Sequence, residues 1–192
     1  KGSLLDFNNC ISIIGTRKCS EQSRRETLDL SSKLVQSGYT IVSGLASGID
    51  TMAHEGALRA GGKTIAVLPW MEPIYPPENI QLSNQIIEQG CLISECYRRQ
   101  GKNLKWRFIE RNKIISGISK CVVIMETGAT GGSIHLAEIA FKQKQKIFVF
   151  APQDGGKSAM EGYRLLLKKY LAKPIKSHED LSAQLERVKR SC

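Results

Sequence analysis

Hydrophobic and polar positions follow two alternating patterns along the whole chain. Short runs rich in Val, Ile and other apolar residues predict β-strands at 10–14, 40–43, 63–68, 91–94, 120–125, 147–150 and 173–175. Longer stretches with apolar residues three or four apart predict helices at 21–36, 49–60, 78–89, 109–119 and 133–143, and on both sides of the last strand within 158–190. Strand and helix are therefore predicted to alternate from end to end.

The predicted strands are nearly continuous apolar runs, such as CVVIM at 121–125 and IFVF at 147–150. Such runs are typical of strands buried on both faces, since half-exposed strands alternate apolar and polar residues. Together with the helices they predict a Rossmann-like α/β fold, a mostly parallel sheet with helices on both faces. With 192 residues and no repeat or linker, we expect one domain over 1–192, flanking domains being absent or trimmed.

Charge and cysteine content narrow the class of partner and the compartment. Lys and Arg outnumber Asp and Glu by 28 to 18, which gives a net charge of +10 and favours an anionic partner. No apolar run approaches the ~20 residues of a membrane span and no signal peptide is present, so no membrane partner is expected. The six cysteines contain no CxxC pair, which favours reduced thiols in the cytoplasm and predicts neither a metal site nor a cofactor.

Loops rich in glycine and hydroxyl groups follow three of the predicted strands, at 15–17, 43–50 and 127–133. The carboxyl ends of parallel strands share one edge of a sheet, where glycines and helix N-termini expose backbone N–H groups to anions. The alternative is that these glycines only form tight turns. Neither GxGxxG nor GxxxxGK[ST] occurs, which disfavours dinucleotide oxidoreductases and P-loop NTPases. The candidate phosphate or anion contacts are Gly15, Thr16, Ser43, Gly44, Ser47, Gly48, Gly131, Gly132 and Ser133.

A basic stretch from Arg98 to Lys120 contains eight Lys or Arg and one acid, with Trp106 and Phe108 among the cations. Single-stranded nucleic acid is the ligand that this combination suits, because cations contact its phosphates and an exposed ring stacks on a base. The alternative is a solvated basic loop whose aromatic residues pack into the core. Trp106 is expected to pack, and Phe108 to stack on a base.

Two pairs of polar residues at helical spacing do not predict catalysis. Asp50 and His54 are four residues apart, which allows an ion pair or hydrogen bond, but no nucleophile accompanies them. His135 and Glu138 share a helix face without the further ligands that a metal needs. No catalytic residue is therefore predicted.

Several motifs, in order and spread over nearly the whole chain, carry a family resemblance. They are IGTR at 14–17, SGLASGID at 43–50, KTIAVL at 63–68, IYP at 74–76, FIERNKIISG at 108–117, TGGS at 130–133 and SHEDL at 177–181. The chain resembles the DNA processing protein A family, also called DprA or Smf. The resemblance implies an extended Rossmann fold that binds single-stranded DNA without turnover chemistry, acts in natural transformation, loads the RecA recombinase and forms a homodimer.

The resemblance also implies which residues bind DNA. The pocket of the family corresponds to Arg17, Lys105 and Phe108, with Arg111 and Asn112 shaping the helix start behind the ring and Lys113 beside them. Three positions depart from the usual pattern. Ser47 replaces an Arg in the second glycine loop, residues 111–113 read RNK instead of RNR, and residues 131–133 read GGS instead of SGS.

Two other functions are compatible with the sequence. The GGS loop followed by Glu138 is similar to the motif of nucleotide phosphoribohydrolases, although the Pro and the second Gly-Thr of PGGxGT are missing. A nucleotide-binding sensor or a hydrolase of that type is therefore the alternative to a DNA-binding protein. The third possibility is a protein-interaction module whose basic face meets an acidic partner.

Overall fold

The computed structural model describes residues 1–3, 6–101, 104–152 and 156–189, and within them a seven-stranded parallel sheet forms the centre. The strands are β1 (Cys10–Ile14), β2 (Thr40–Ser43), β3 (Thr64–Val67), β4 (Cys91–Ile93), β5 (Cys121–Ile124), β6 (Lys146–Phe150) and β7 (Lys173–Ile175). The helices are α1 (Glu21–Gln36), α2 (Ile49–Arg59), α3 (Ile80–Gln89), α4 (Lys105–Gly117), α5 (Gly132–Lys142), α6 (Lys157–Tyr170) and α7 (His178–Lys189). Single 3-10 turns precede β1 and α3, at Phe7–Asn9 and Pro77–Asn79.

The order of the strands across the sheet is β4-β3-β2-β1-β5-β6-β7, and every pair is parallel. The chain winds outward from β1 in one direction and from β5 in the other. The point where the winding reverses therefore lies between β1 and β5, and in such sheets ligands bind beyond the carboxyl ends of these strands.

Successive residues of the central strands pack on opposite faces of the sheet, which buries both. Ile11 and Ile13 of β1 pack with α1, α2 and α7, whereas Cys10 and Ile14 pack with α4, α5 and α6. The α/β fold with helices on both faces is thus confirmed. No helix among the described residues is long and apolar enough to cross a bilayer.

The predicted start of α4 is wrong, and the difference affects the site. The helix begins at Lys105, four residues before the predicted start at 109, so Lys105 and Phe108 lie in its first turn instead of in a loop. Phe108, Arg111 and Ile115 are spaced by three and four residues and share one face of α4, but the cation at 111 and those around it conceal this helical period in the sequence.

Other boundaries differ less from the prediction. The helix predicted at 78–89 is divided into the 3-10 turn Pro77–Asn79 and α3. The predicted end of the last helix, residue 190, lies outside the described residues.

Candidate nucleic-acid interface

A cavity of about 310 Å³ opens at the carboxyl edge of the sheet, between the ends of β1 and β5. Three segments and one helix form its wall: the loop after β1, the first turn of α2, the loop that leads from β5 into α5, and one face of α4. The predicted site residues that line it are Gly15, Thr16, Arg17, Phe108, Arg111, Asn112, Gly131, Gly132 and Ser133. The structure therefore brings together two glycine loops and the aromatic helix that are far apart in sequence.

Arg17 and Phe108 lie together at the mouth of this cavity. The exposed guanidinium of Arg17 lies over the ring of Phe108, with its central carbon 5.8 Å from the ring centroid. The ring is half-buried and makes edge-to-face contacts with Trp70, at a centroid distance of 5.4 Å, and with Tyr75, at 5.9 Å. Phe108 is thus supported by other aromatic rings without being sealed in the core.

Two other cations predicted for the site, Lys105 and Lys113, are not in the wall of the cavity. Lys105 is exposed on α4, one turn before Phe108, so it lies beside the mouth. Lys113 is exposed further along α4, where its Nζ binds the Glu110 carboxylate at 2.8 Å. The structure does not bring Lys113 to the cavity, and its predicted contact with DNA is not supported by its position.

Arg111 is directed into the protein. Only 8% of the residue is exposed, and its Nη1 donates a hydrogen bond of 2.6 Å to the Val67 carbonyl at the end of β3. Burial lowers the pKa of Arg111, while the nearby Asp50 carboxylate opposes that shift. The guanidinium lies against Gly44, where it leaves no room for a Cβ atom. These contacts support a role for Arg111 in holding α4 behind the Phe108 ring, and a direct contact with DNA stays a prediction.

Asp50 is the counter-charge of Arg111. Its carboxylate accepts hydrogen bonds from the N–H groups of Gly44, at 3.2 Å, and Ala46, at 3.3 Å. Burial raises the pKa of Asp50, and the charge of Arg111 and these backbone donors act against the increase. The pair with His54 that the spacing allowed is not formed, because the Asp50 carboxylate is directed at the backbone N–H groups of the β2–α2 loop.

The loop before α5 leaves unused donors at the cavity. The helix begins at Gly132 with no side-chain cap, so the N–H groups of its first turn have no intrahelical partner. Asn112, which is buried, donates from Nδ2 to the Gly132 carbonyl at 3.4 Å and joins the loop to α4. A Cβ built on Gly131 or Gly132 would meet no atom within 4 Å, so packing does not explain these two glycines, although Gly131 has a φ of 113°. This side of the cavity is suited to an anion.

Packing does explain three of the other glycines, as the tight-turn alternative expected. A Cβ on Gly15 would overlap Ile49 and the Glu126 carbonyl, and a Cβ on Gly48 would overlap the carbonyls of Thr16 and Arg17. A Cβ on Gly44 would overlap the guanidinium of Arg111. These three glycines are needed for the packing of the sheet edge, whether or not they bind an anion.

Two hydroxyl groups predicted as anion donors have other partners. Ser43 is fully buried and donates to the Ile13 carbonyl at 2.6 Å, so its position does not support the predicted contact with an anion. Ser47 donates to the Glu78 carboxylate at 2.8 Å and faces a smaller slot next to the cavity. Sequence reasoning did not identify Glu78, Tyr75 and Trp70 as part of this region, although the IYP motif at 74–76 marked the segment.

Trp106 differs from its prediction as well. The residue is 52% exposed, and the guanidinium carbon of Arg107 lies 4.4 Å from the centroid of its ring. It does not line the cavity, so the exposed ring and the ring at the cavity are different residues of α4.

Among the described residues no group of three or more His, Cys, Asp or Glu side chains could hold a metal ion. His135 is exposed, and Glu138 forms an ion pair with Lys142 at 2.7 Å.

His54 is buried in its neutral form. Its Nδ1 lies 2.7 Å from the Thr64 hydroxyl, which itself donates to the Ile41 carbonyl, so Nδ1 carries the proton and donates to Thr64. Nε2 has no partner, and burial lowers the pKa of His54 to about 3, with a further contribution from Arg111.

Because His54 is buried in its neutral form, we expect the protein to lose stability in acid. In the unfolded chain His54 has its ordinary pKa of about 6.5, so between pH 6.5 and 3 the unfolded state binds the additional proton. Its contribution lowers the free energy of unfolding by about 2 kcal/mol from pH 8 to pH 5. Urea titrations at several pH values measure this change. The His54→Asn variant, which keeps a donor for Thr64, is the control and should lose this part of the pH dependence; an unchanged profile would contradict the assignment.

Comparison with known proteins agrees with this geometry. The profile of the DNA recombination-mediator protein A family matches residues 1–186. The chain belongs to this family. The resemblance noted in the sequence is thereby confirmed.

Two curated DprA/Smf relatives and one solved structure illustrate the similarity. The chain is 42% identical to protein Smf of Synechocystis sp. over 139 residues, which cover 72% of the chain and 35% of that protein. It is 35% identical to the DNA processing protein DprA of Bacillus subtilis over 191 residues, which cover 95% of the chain and 61% of that protein. The chain thus spans between about a third and three fifths of the length of these relatives.

The solved structure is that of DNA processing protein A from Helicobacter pylori, described for its single-stranded DNA binding mode. It superposes with a TM-score of 0.81 at 32% sequence identity and covers 93% of this chain and 80% of that one. The chain therefore has the DprA/Smf fold.

Proposed function

We propose that this protein binds single-stranded DNA at the mouth of the cavity, without catalysing a reaction. The observation that carries the proposal is the position of Arg17 over the half-exposed ring of Phe108, next to the uncapped N-terminus of α5. Membership of the DprA/Smf family and the DNA-binding mode described for the Helicobacter pylori protein support it.

Each element of the mouth has a separate role in this proposal. Arg17 and Lys105 bind neighbouring phosphates, and the free N–H groups of α5 bind a third. A base stacks on Phe108, whose ring is supported by edge-to-face contacts with Trp70 and Tyr75. The net charge of +10 favours the approach of the strand.

The biological setting follows from the family. We infer that the protein acts in the cytoplasm on DNA taken up by the cell, as a homodimer, and delivers the strand to the RecA recombinase. The homodimer and the RecA contact are tested by the mass of the protein in solution and by co-sedimentation with RecA on single-stranded DNA.

A salt series tests the binding proposal directly. A fluorescent thymidine oligomer is titrated with the protein at several salt concentrations, with duplex DNA as competitor. Contact with about three phosphates should give a slope of roughly −2 in log K against log salt. Failure to bind at low salt, or equal competition by the duplex, would overturn the proposal.

Replacing Arg17 with alanine should weaken binding and make the slope shallower by about 0.7, the contribution of one phosphate contact. The same salt series measures both effects. Arg59→Ala is a matched control, because Arg59 ends α2 at the opposite edge of the sheet and forms an exposed ion pair with Glu55. A variant that weakens binding at an unchanged slope would show that Arg17 does not contact a phosphate.

The nucleotide hydrolase alternative depended on Glu138. Its carboxylate binds Lys142 and does not line the cavity, so no observation favours this function. Release of free base from nucleoside monophosphates in the presence of the protein would restore it.

A further inference from the structure

A slot of about 110 Å³ lies beside the cavity and shares Arg17 and Phe108 with it. Its remaining walls come from the β2–α2 loop and from the segment that precedes α3. They are formed by Gly44, Ala46, Ser47, Tyr75, Pro76, Pro77 and Glu78. Allowing about 10–15 Å³ for each water-sized volume, the slot of about 110 Å³ holds roughly 7 to 11 atoms of that size, a range that includes a single base up to the size of guanine but not a whole nucleotide.

The slot is apolar on its sides and carries hydrogen-bond acceptors at one end. Phe108, Tyr75 and Pro76 provide apolar surface for the faces of a base. Glu78 and Ser47 provide the polar end, where the Ser47 hydroxyl donates to Oε1 of Glu78 at 2.8 Å. The slot therefore offers both kinds of surface that a nucleobase needs, apolar surface for its faces and polar groups for its edge.

The carboxylate of Glu78 is held in one place but retains free acceptor capacity. The pKa of Glu78 lies below its ordinary value because of a hydrogen bond from its own backbone N–H, a second from Ser47 and the nearby charge of Arg17. No Lys or Arg of the described residues forms an ion pair with it. An ionised carboxylate accepts hydrogen bonds only, at up to about four lone-pair positions, so its own N–H and Ser47 leave about half of them available.

We propose that this slot binds a guanine base of the strand and that Glu78 reads its Watson–Crick edge. This inference rests on the proposed binding of single-stranded DNA and adds a base preference to it. Because Arg17 lines both spaces, a nucleotide with its base in the slot has its phosphate next to the Arg17 guanidinium.

Guanine is the base whose edge matches a carboxylate. Its N1–H and N2 amino group are adjacent donors, so they bind the two oxygens of a carboxylate in parallel. Cytosine and adenine place an unprotonated ring nitrogen next to their amino group, and thymine flanks its one N–H with carbonyl oxygens. Each of these directs an acceptor at the carboxylate, which is repulsive.

The test compares three oligomers that differ at a single base. Short thymidine oligomers with a central deoxyguanosine, deoxyinosine or thymidine are titrated by fluorescence anisotropy at one salt concentration. Inosine keeps N1–H but lacks the N2 amino group, so it isolates half of the proposed pair. Wild-type protein should bind the guanosine oligomer at least about fivefold more tightly than the other two.

Three variants assign the preference. Glu78→Gln replaces one acceptor oxygen by a donor and should abolish the preference, and Ser47→Ala should reduce it by releasing the carboxylate. Glu88→Gln is the matched control, because Glu88 is an exposed residue of α3 that does not line the slot, and it should bind like the wild type.

Each of the other possible results has a different consequence for the two proposals. Equal binding of the three oligomers by the wild type overturns the inference and leaves the proposed function intact. If Glu78→Gln raises the affinity for all three oligomers equally, the inference is also overturned, because the Glu78 carboxylate then acts only by repelling phosphate. If the protein binds none of the three oligomers, the proposed function and this inference are overturned together.

Discussion

Replacing Arg111 with alanine is expected to lower the free energy of unfolding by about 3–5 kcal/mol. The substitution removes the donor to the Val67 carbonyl and leaves the buried Asp50 carboxylate without its counter-charge. An uncompensated buried charge costs far more than the pair contributed, since the remaining carboxylate does not regain its contact with water. Urea denaturation, followed by circular dichroism at neutral pH, measures the change.

Two further variants separate this effect from a general loss of positive charge. Lys113→Ala removes a cation two positions further along α4, but its exposed pair with Glu110 should contribute no more than about 1 kcal/mol. Gly44→Ala keeps Arg111 and forces its guanidinium away, so it should destabilise the protein in the same direction. Equal stability of the Arg111→Ala and Lys113→Ala variants would contradict the buried arrangement.

The framework of the fold could be predicted because it depends on local patterns. The run at 121–124 is apolar on both faces, and the structure places it in the middle of the sheet as β5. Glycine and hydroxyl residues after β1, β2 and β5 identified the edge at which the cavity lies. Those signals are contained in a few consecutive residues, which is why sequence alone reveals them.

The direction of individual polar side chains could not be predicted in the same way. Arg111 and Lys113 are two cations of one basic stretch, yet the first is buried and bound to the Val67 carbonyl, while the second is exposed beside Glu110. The difference arises from Val67 and Asp50, partners that only the tertiary fold brings to α4. Ser43 is a similar case, because its hydroxyl is used by the neighbouring strand β1.

The glycines of the edge show how far a motif can be interpreted. Gly15, Gly44 and Gly48 are enforced by neighbouring atoms, whereas Gly131 and Gly132 face open space at the uncapped end of α5. The sequence presents the two kinds identically, as glycine after a strand. The second kind lies at the uncapped start of a helix, whose first N–H groups have no intrahelical partner, so the anion site is expected at α5.

Replacing Phe108 with alanine should weaken the binding of single-stranded DNA by about 1–3 kcal/mol, the contribution of one base stacked on an aromatic ring. The slope of log K against log salt should stay nearly unchanged, because no cation is removed. Anisotropy titrations of the thymidine oligomer at several salt concentrations measure both quantities. Arg17 lies over this ring, so a base that stacks there lies beside a phosphate contact.

Trp106→Ala provides the control for Phe108, since it removes a larger and more exposed ring from the same helix, away from the cavity. If bases stack on any exposed ring of α4, the Trp106 variant should lose more affinity than the Phe108 variant. If the mouth of the cavity is the binding site, only the Phe108 variant should lose affinity. A larger loss of affinity in the Phe108 variant than in the Trp106 variant would reflect the position of the two rings, because Trp106 is the more exposed of the two. The comparison therefore tests the location of the site without changing any charge.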